Sequence, residues 1–129
     1  MPSIIRYPGS KAKLVGSIRQ SLPEWLIGRI WNPPENAEYI EPFFGSGAVG
    51  LQVLKHVNPS VTVWINDIDY GMFALWHSVV HETRRLVEYV RGFEPTTEDF
   101  YAMKESDGER LGCIARDAFH KVALHRMSV

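Results

Sequence analysis

The chain has 129 residues with a formal net charge of −1, and 45% of its residues are hydrophobic while 22% are charged. This composition is ordinary for a globular domain, and no apolar run approaches the roughly 20 residues that span a bilayer, so we expect no membrane partner. The single cysteine excludes an internal disulfide framework and favours a reducing cytoplasm. Residues 1–31 are mainly basic and residues 32–83 mainly acidic, a division that by itself is typical of solvated surfaces.

The residue pattern predicts one helix, then alternating strands and helices, and then further helices. Proline breaks helices, so Pro23 or the pair at 33–34 is expected to end the first helical region, and Asp69 is expected to cap a long later helix. This order is the opening of a parallel α/β sheet. Open sheets usually have about 4–6 strands, so two predicted strands indicate an incomplete domain or a core completed by another chain. Helices are predicted over 11–22, 48–56, 69–91, from 96 or 97 to 104 and from 108 onward, and strands over 38–42 and 61–65.

A glycine-rich segment, EPFFGSGAV at 41–49, follows the first predicted strand and precedes a helix. Gly45 and Gly47 can adopt positive φ, and they let a ligand approach the backbone closely. A nucleotide cofactor commonly lies at the carboxyl end of such a strand. Because Gly-x-Gly alone is a weak motif, a plain tight turn is an equally good interpretation of this segment taken by itself.

An acidic segment, NDID at 66–69, follows the second predicted strand. An acidic residue about 20 positions beyond the glycines is well placed to accept hydrogen bonds from ribose hydroxyls, and we assign this role to Asp67. Helix capping is the alternative role for Asp67, and it is the preferred role for Asp69.

A third segment, RYPGSK at 6–11, combines a proline–glycine turn with a helix start, where backbone N–H groups and Lys11 would converge on an anion. Taken alone, it is better explained by an N-terminal turn with solvated charges. The three segments together and in this order resemble the Dam-like, or D12-class, DNA adenine-N6 methyltransferases. Two further segments support the resemblance, which covers essentially the whole chain: EDFYAMK at 98–104 and ALHRMS at 123–128.

The resemblance implies an α/β, incomplete Rossmann-like S-adenosylmethionine-dependent methyltransferase fold with additional C-terminal helices. Residues 1–94 would form the N-terminal part of the cofactor-binding domain, and residues 95–129 would begin the target-recognition region. The implied cofactor is S-adenosyl-L-methionine, whose positive charges suit the acidic middle of the chain, and the implied partner is double-stranded DNA with an adenine target. The residues implied for cofactor binding are Tyr7, Pro8, Lys11, Glu41, Phe43, Gly45, Gly47 and Asp67, and those implied near DNA are Arg6 and Arg126.

One departure from the family pattern concerns catalysis. The family's [DNS]-P-P-[YFW] motif, whose ring stacks on a flipped-out base, has no counterpart in these 129 residues. The segment NPPE at 32–35 has an acidic residue in place of the ring, and we interpret it as a proline-rich loop. We therefore expect no catalytic residue here, no methyl transfer by this chain alone, and either a second chain that supplies the motif or a homo-oligomer.

Two other functions remain open from the sequence. The first is a non-catalytic accessory or decoy module that binds S-adenosylmethionine or DNA. The second is a nucleotide-binding protein that uses the same glycine turn for NAD. A metal site is not expected, because His77 and His81 have helical spacing but no third ligand, and a surface pair explains them better than zinc.

Overall fold

The computed structural model describes residues 13–31, 34, 36–55 and 61–128. By their internal contacts these residues divide into two compact units, one that ends at Asn66 and one that begins at Asp67. The proline-rich segment at 32–35 lies largely outside the described residues. No helix within the described ranges is long and apolar enough to cross a membrane.

The first unit combines helices with a small parallel sheet. Glu38 lies opposite Thr62, and Glu41 lies opposite Ile65. Both predicted strands and their parallel pairing are therefore confirmed, as in an α/β domain, and a parallel pair requires the longer connection that contains a helix here. In chain order the described elements of this unit are α1 (Val15–Ser21), α2 (Glu24–Trp31), β1 (Glu38–Glu41), α3 (Gly50–Leu54) and β2 (Thr62–Ile65).

The region around Pro23 contains a helix that the sequence pattern did not predict. Leu22 has ψ 143, the extended conformation that a following proline imposes, and this ends α1. Pro23 then precedes α2, and its carbonyl accepts a hydrogen bond from the Ile27 N–H at 2.9 Å. Proline has no N–H, but this costs no hydrogen bond at a helix start, because the N–H groups there have no partner inside the helix. Pro23 therefore both ends one helix and begins the next.

Among the described residues of the second unit, the regular elements are all helices. It contains α4 (Tyr70–His81), α5 (Thr83–Arg91), α6 (Thr97–Glu105) and α7 (Ile114–Met127). The last helix packs against the other three, most extensively against α4. Its small residues Ala115 and Ala118 are fully buried and allow close approach to the larger core residues of α4. The buried apolar side chains of the unit are Met72, Ala74, Leu75, Trp76, Leu86, Ala115, Ala118, Ala123 and Leu124.

The single long helix predicted from Asp69 to Arg91 is wrong, because the helix breaks at Glu82. Glu82 has φ −130 and ψ 29, outside helical geometry. The hydroxyl of Thr83 donates to the Val79 carbonyl at 2.6 Å and so competes for an acceptor that would otherwise serve the backbone. Side-chain hydrogen bonds of this kind, from threonine to the preceding turn, bend or interrupt helices.

The start of α6 follows the prediction. Thr96 accepts from the Asp99 N–H at 3.1 Å, and the Asp99 carboxylate accepts from the Thr96 N–H at 3.0 Å, forming a capping box. The last helix begins later than predicted, at Ile114 instead of Gly108. Gly108 and Gly112 have φ 88 and 101, so the segment between them leaves helical geometry.

Candidate functional site

The N-terminal candidates fall outside the described residues. These are Arg6, Tyr7, Pro8 and Lys11, and their assigned roles stay predictions. The other assigned residues lie within the described ranges: at the end of β1 and in the turn after it, in the acidic turn before α4, and near the end of α7.

The turn after β1 has the backbone geometry that its glycines suggested. Gly45 has φ 51 and Gly47 has φ 71, in the left-handed region that side chains disfavour. The Gly47 N–H donates to the Phe44 carbonyl at 2.8 Å, which closes the turn, and the Gly47 carbonyl accepts from Leu51 at 2.9 Å as α3 begins. The chain therefore passes from strand to helix through a tight turn that needs glycine at both positions, and Gly45 is half-buried while Gly47 is buried.

Two neighbouring aromatic residues anchor and flank this turn. Phe44 is only 3% exposed, and its N–H donates to the Asn66 carbonyl at 2.9 Å, so the turn is tied to the residue that follows β2. Phe43 is 82% exposed. An aromatic ring this exposed is available to contact a flat ligand, as the assignment of Phe43 to a cofactor wall requires.

Asn66 extends the pairing of β1 and β2 beyond the strands themselves. Its N–H donates to the Glu41 carbonyl at 3.0 Å, and its side-chain amide donates to the Pro42 carbonyl at 3.4 Å. Its sequence context predicted no role for Asn66 beyond its place in the acidic segment. Its side-chain and backbone bonds hold the first residues of the glycine turn against the end of β2.

The carboxylate of Glu41 is engaged inside the first unit. It accepts a hydrogen bond from the Tyr39 hydroxyl at 2.9 Å and another from the Gly50 N–H. Burial raises the pKa of Glu41, and these two donors only partly offset it, so the pKa lies above its ordinary range. Burial and the neighbouring carboxylate also raise the pKa of Tyr39. Glu41 thus links the end of β1 to the start of α3.

The acidic turn opens the second unit. One oxygen of the half-buried Asp67, Oδ1, accepts from the Asp69 N–H at 3.0 Å. Asp69 in turn caps α4, because its Oδ1 accepts from the Met72 N–H at 3.2 Å. The prediction that Asp69 is the helix cap is confirmed. Asp67 does not cap α4; its assignment to ribose stays a prediction.

A buried lysine completes this turn. The Lys121 ammonium group, from α7, lies 2.8 Å from Asp69 Oδ2. Burial acts to raise the pKa of Asp69, but the hydrogen bond and charge of Lys121, together with backbone N–H groups, outweigh it and hold the pKa below its ordinary value. Sequence reasoning missed this pair, because no local pattern connects residues so far apart in the chain.

A second polar contact joins the same two helices. The Tyr70 hydroxyl donates to Asp117 Oδ2 at 2.8 Å, and the Leu111 N–H donates to Asp117 Oδ1 at 2.7 Å. This hydrogen bond to the carboxylate, together with partial burial, raises the pKa of Tyr70. The Arg110 guanidinium lies 4.7 Å from the centre of the Tyr70 ring. Asp117 therefore ties the loop before α7 to the first residue of α4.

The remaining candidates lie on α7 and α4. Arg126 is exposed in the last turn of α7, and its proximity to DNA stays a prediction. The His77 and His81 rings lie 4.8 Å apart. Among the described residues, no group of three or more histidine, cysteine or acidic side chains is arranged to hold a metal ion.

The chain belongs to the D12 class of N6 adenine-specific DNA methyltransferases, whose sequence profile matches residues 7–126. It is also similar to the Type II methyltransferase M.MjaIII of Methanocaldococcus jannaschii, with 26% identity over 118 residues. That match covers 91% of this chain and 37% of the relative, so the chain spans well under half of the relative's length. No solved structure matches the chain.

Proposed function

We propose that this chain binds S-adenosylmethionine and forms the methyl-donor site for methylation of adenine N6 in double-stranded DNA. The observation that carries the proposal is the turn after β1, where Gly45 and Gly47 both have positive φ in a chain of the D12 family. In this proposal residues 1–94 are the N-terminal part of an incomplete Rossmann-like domain, and residues 95–129 begin the target-recognition region.

Each of the described candidate residues has chemistry that suits such a cofactor. The positive φ of Gly45 and Gly47 is typical of turns at which a nucleotide cofactor lies, and the exposed ring of Phe43 offers a flat apolar surface. Asp67 supplies a carboxylate that can accept from ribose hydroxyls, and negative charge in this part of the chain suits the cofactor's sulfonium and ammonium groups. When bound, S-adenosylmethionine supplies an electrophilic methyl group. The residues assigned by family resemblance alone are Tyr7, Pro8 and Lys11 for the cofactor and Arg6 and Arg126 for DNA.

Ligand binding tests the proposal directly. A ligand that binds only the folded state raises the unfolding midpoint, so S-adenosylmethionine should raise the melting temperature of the purified chain. Calorimetry with S-adenosylmethionine and with NAD then separates a methyl-donor site from a dinucleotide site. Tighter binding of NAD would overturn the proposal in favour of a general nucleotide-binding protein.

Substitution of Asp67 tests the residue assignment. Loss of hydrogen bonds to a charged acceptor should weaken S-adenosylmethionine binding by roughly 1.5–3 kcal/mol in Asp67→Ala. Asp107→Ala is the matched control, since Asp107 is an exposed aspartate in the loop after α6 and should leave the dissociation constant unchanged. Equal affinities of the two variants would show that Asp67 only shapes the turn.

A second candidate function is a binding module without chemistry. Transfer of radiolabelled methyl groups to double-stranded DNA distinguishes the candidates. Transfer by the chain alone would contradict both a separate catalytic chain and a non-catalytic module. Transfer that appears only after addition of a chain carrying the family's Pro-Pro-aromatic motif supports a split enzyme, whereas cofactor binding without transfer in either mixture supports the module.

A further inference from the structure

Lys121 is unusual because its charged side chain lies inside the helical unit. The residue is 8% exposed on a helix face that otherwise buries mainly small and apolar side chains against α4. Lysine is rarely buried unless it is paired, because removal of an ammonium group from water costs several kcal/mol. That cost is larger than the stabilisation that a surface ion pair provides. Its contact with Asp69 Oδ2, at 2.8 Å, provides the pairing.

The neighbouring glycine makes room for this lysine. A Cβ at Gly71 would lie 2.6 Å from Lys121 Cδ and 3.0 Å from Lys121 Cγ. Glycine is a poor helix former, about 1 kcal/mol less favourable than alanine, yet Gly71 occupies the first turn of α4. Only a residue without a side chain lets the lysine stem reach Asp69 along this path.

The ion pair is connected to the acidic turn by consecutive hydrogen bonds. Asp69 uses Oδ2 for Lys121 and Oδ1 for the Met72 N–H, so its carboxylate is held from both sides. Its own N–H donates to Asp67 Oδ1 at 3.0 Å. The orientation of the Asp67 carboxylate is thus coupled through Asp69 to a lysine on α7.

We propose that Lys121 is a positioning residue for methyl-donor binding, which holds Asp69 and thereby orients the carboxylate of Asp67 toward the ribose. This inference rests on the proposed function, because it assumes that Asp67 contacts S-adenosylmethionine. A residue that orients a binding group must itself be fixed by packing, and the enclosed path of the Lys121 stem past Gly71 meets that requirement.

Two variants of the full chain perturb the ion pair in different ways. Lys121→Met removes the charge and keeps an apolar stem, whereas Gly71→Ala keeps every charge and displaces the stem. Both should weaken S-adenosylmethionine binding about tenfold by calorimetry, and both should speed hydrogen–deuterium exchange of the Asp69 amide. Tyr70→Phe is the matched control, because it removes the other polar link between α4 and α7 and should leave affinity unchanged.

A double variant separates positioning from stability. In Asp69→Asn with Lys121→Met no unpaired charge remains, and asparagine still caps the helix, so the melting temperature should recover. Affinity should stay low, because residue 69 keeps its cap but has lost the contact with residue 121 that ties this turn to α7. Recovery of affinity with stability, or unchanged affinity and unchanged Asp69 amide exchange in Lys121→Met, would overturn the inference. If the unsubstituted chain does not bind S-adenosylmethionine, the proposed function fails first, and the inference fails with it.

Discussion

Gly50→Ala is expected to damage the glycine turn without touching the glycines that define it. Gly50 is the first residue of α3, and a Cβ there would collide with Glu41 Oε2 and with Cε2 of the Phe44 ring. The Phe44 ring has little freedom to move, since this residue is almost fully buried. Either the ring must shift or the Glu41 carboxylate must leave its hydrogen bonds with Gly50 and Tyr39.

The size of the effect follows from these contacts. Overpacking of a buried site costs about 1–3 kcal/mol, and a displaced carboxylate loses hydrogen bonds worth about 0.5–1.5 kcal/mol each. The higher helix propensity of alanine offsets up to about 1 kcal/mol of this destabilisation. We therefore expect Gly50→Ala to lower the free energy of unfolding by about 1–3 kcal/mol, measured by urea denaturation.

The matched control lies in the same unit. Gly28 is inside α2, and a Cβ there would meet no atom within 4 Å. Gly28→Ala should therefore leave stability unchanged or raise it by up to about 1 kcal/mol, because alanine reduces the entropy of the unfolded chain. Equal unfolding free energies for Gly50→Ala and Gly28→Ala would contradict the tight packing of Gly50 against Glu41 and Phe44.

Three further substitutions test other contacts. Glu41→Gln removes a carboxylate whose pKa is raised by burial. Because the folded state binds the proton of Glu41 more tightly than the unfolded state does, the free energy of unfolding falls as the pH rises above 4.5, the ordinary pKa of a glutamate. The variant should lack that fall in urea titrations at successive pH values, and an unchanged pH dependence would contradict the assignment. Thr96→Ala breaks the capping box of α6 and should lower unfolding free energy by about 0.5–2 kcal/mol in the same assay; equal stability would show that the cap contributes nothing. Tyr70→Phe leaves an oxygen of the buried Asp117 without its donor and should cost about 1–3 kcal/mol by thermal melting, whereas Tyr101→Phe, at an exposed tyrosine, should be neutral.

Features that depend on residues close together in the sequence were predictable from the sequence. The β-branched and aromatic run at 61–65 forms β2, and the threonine and aspartate three positions apart form the cap of α6. The glycines at 45 and 47 adopt positive φ after a strand, and Asp69 caps the helix that follows it. The family resemblance is likewise confirmed, because its motifs are short segments in a set order.

Helix boundaries were predicted less well, since competing local signals there have similar strength. Pro23 ends one helix and begins another, and proline is compatible with both positions. The break at Glu82 lies within a continuous apolar pattern, where a threonine hydroxyl competes for a single carbonyl. The periodicity of apolar residues predicts which face of a helix is buried, but it does not predict a single side-chain hydrogen bond that interrupts the helix.

The amino-acid sequence alone was enough to indicate the strand–turn–helix order, the glycine turn and the acidic segment, because each arises from contacts between residues close in sequence. The ion pair of Lys121 with Asp69, the role of Asp117 and the tight fit of Gly50 depended on how the elements pack. From its sequence context Lys121 resembles an ordinary surface lysine. The packing of α7 against α4 removes it from water and places a carboxylate beside it, and this long-range contact is set by the whole helical unit.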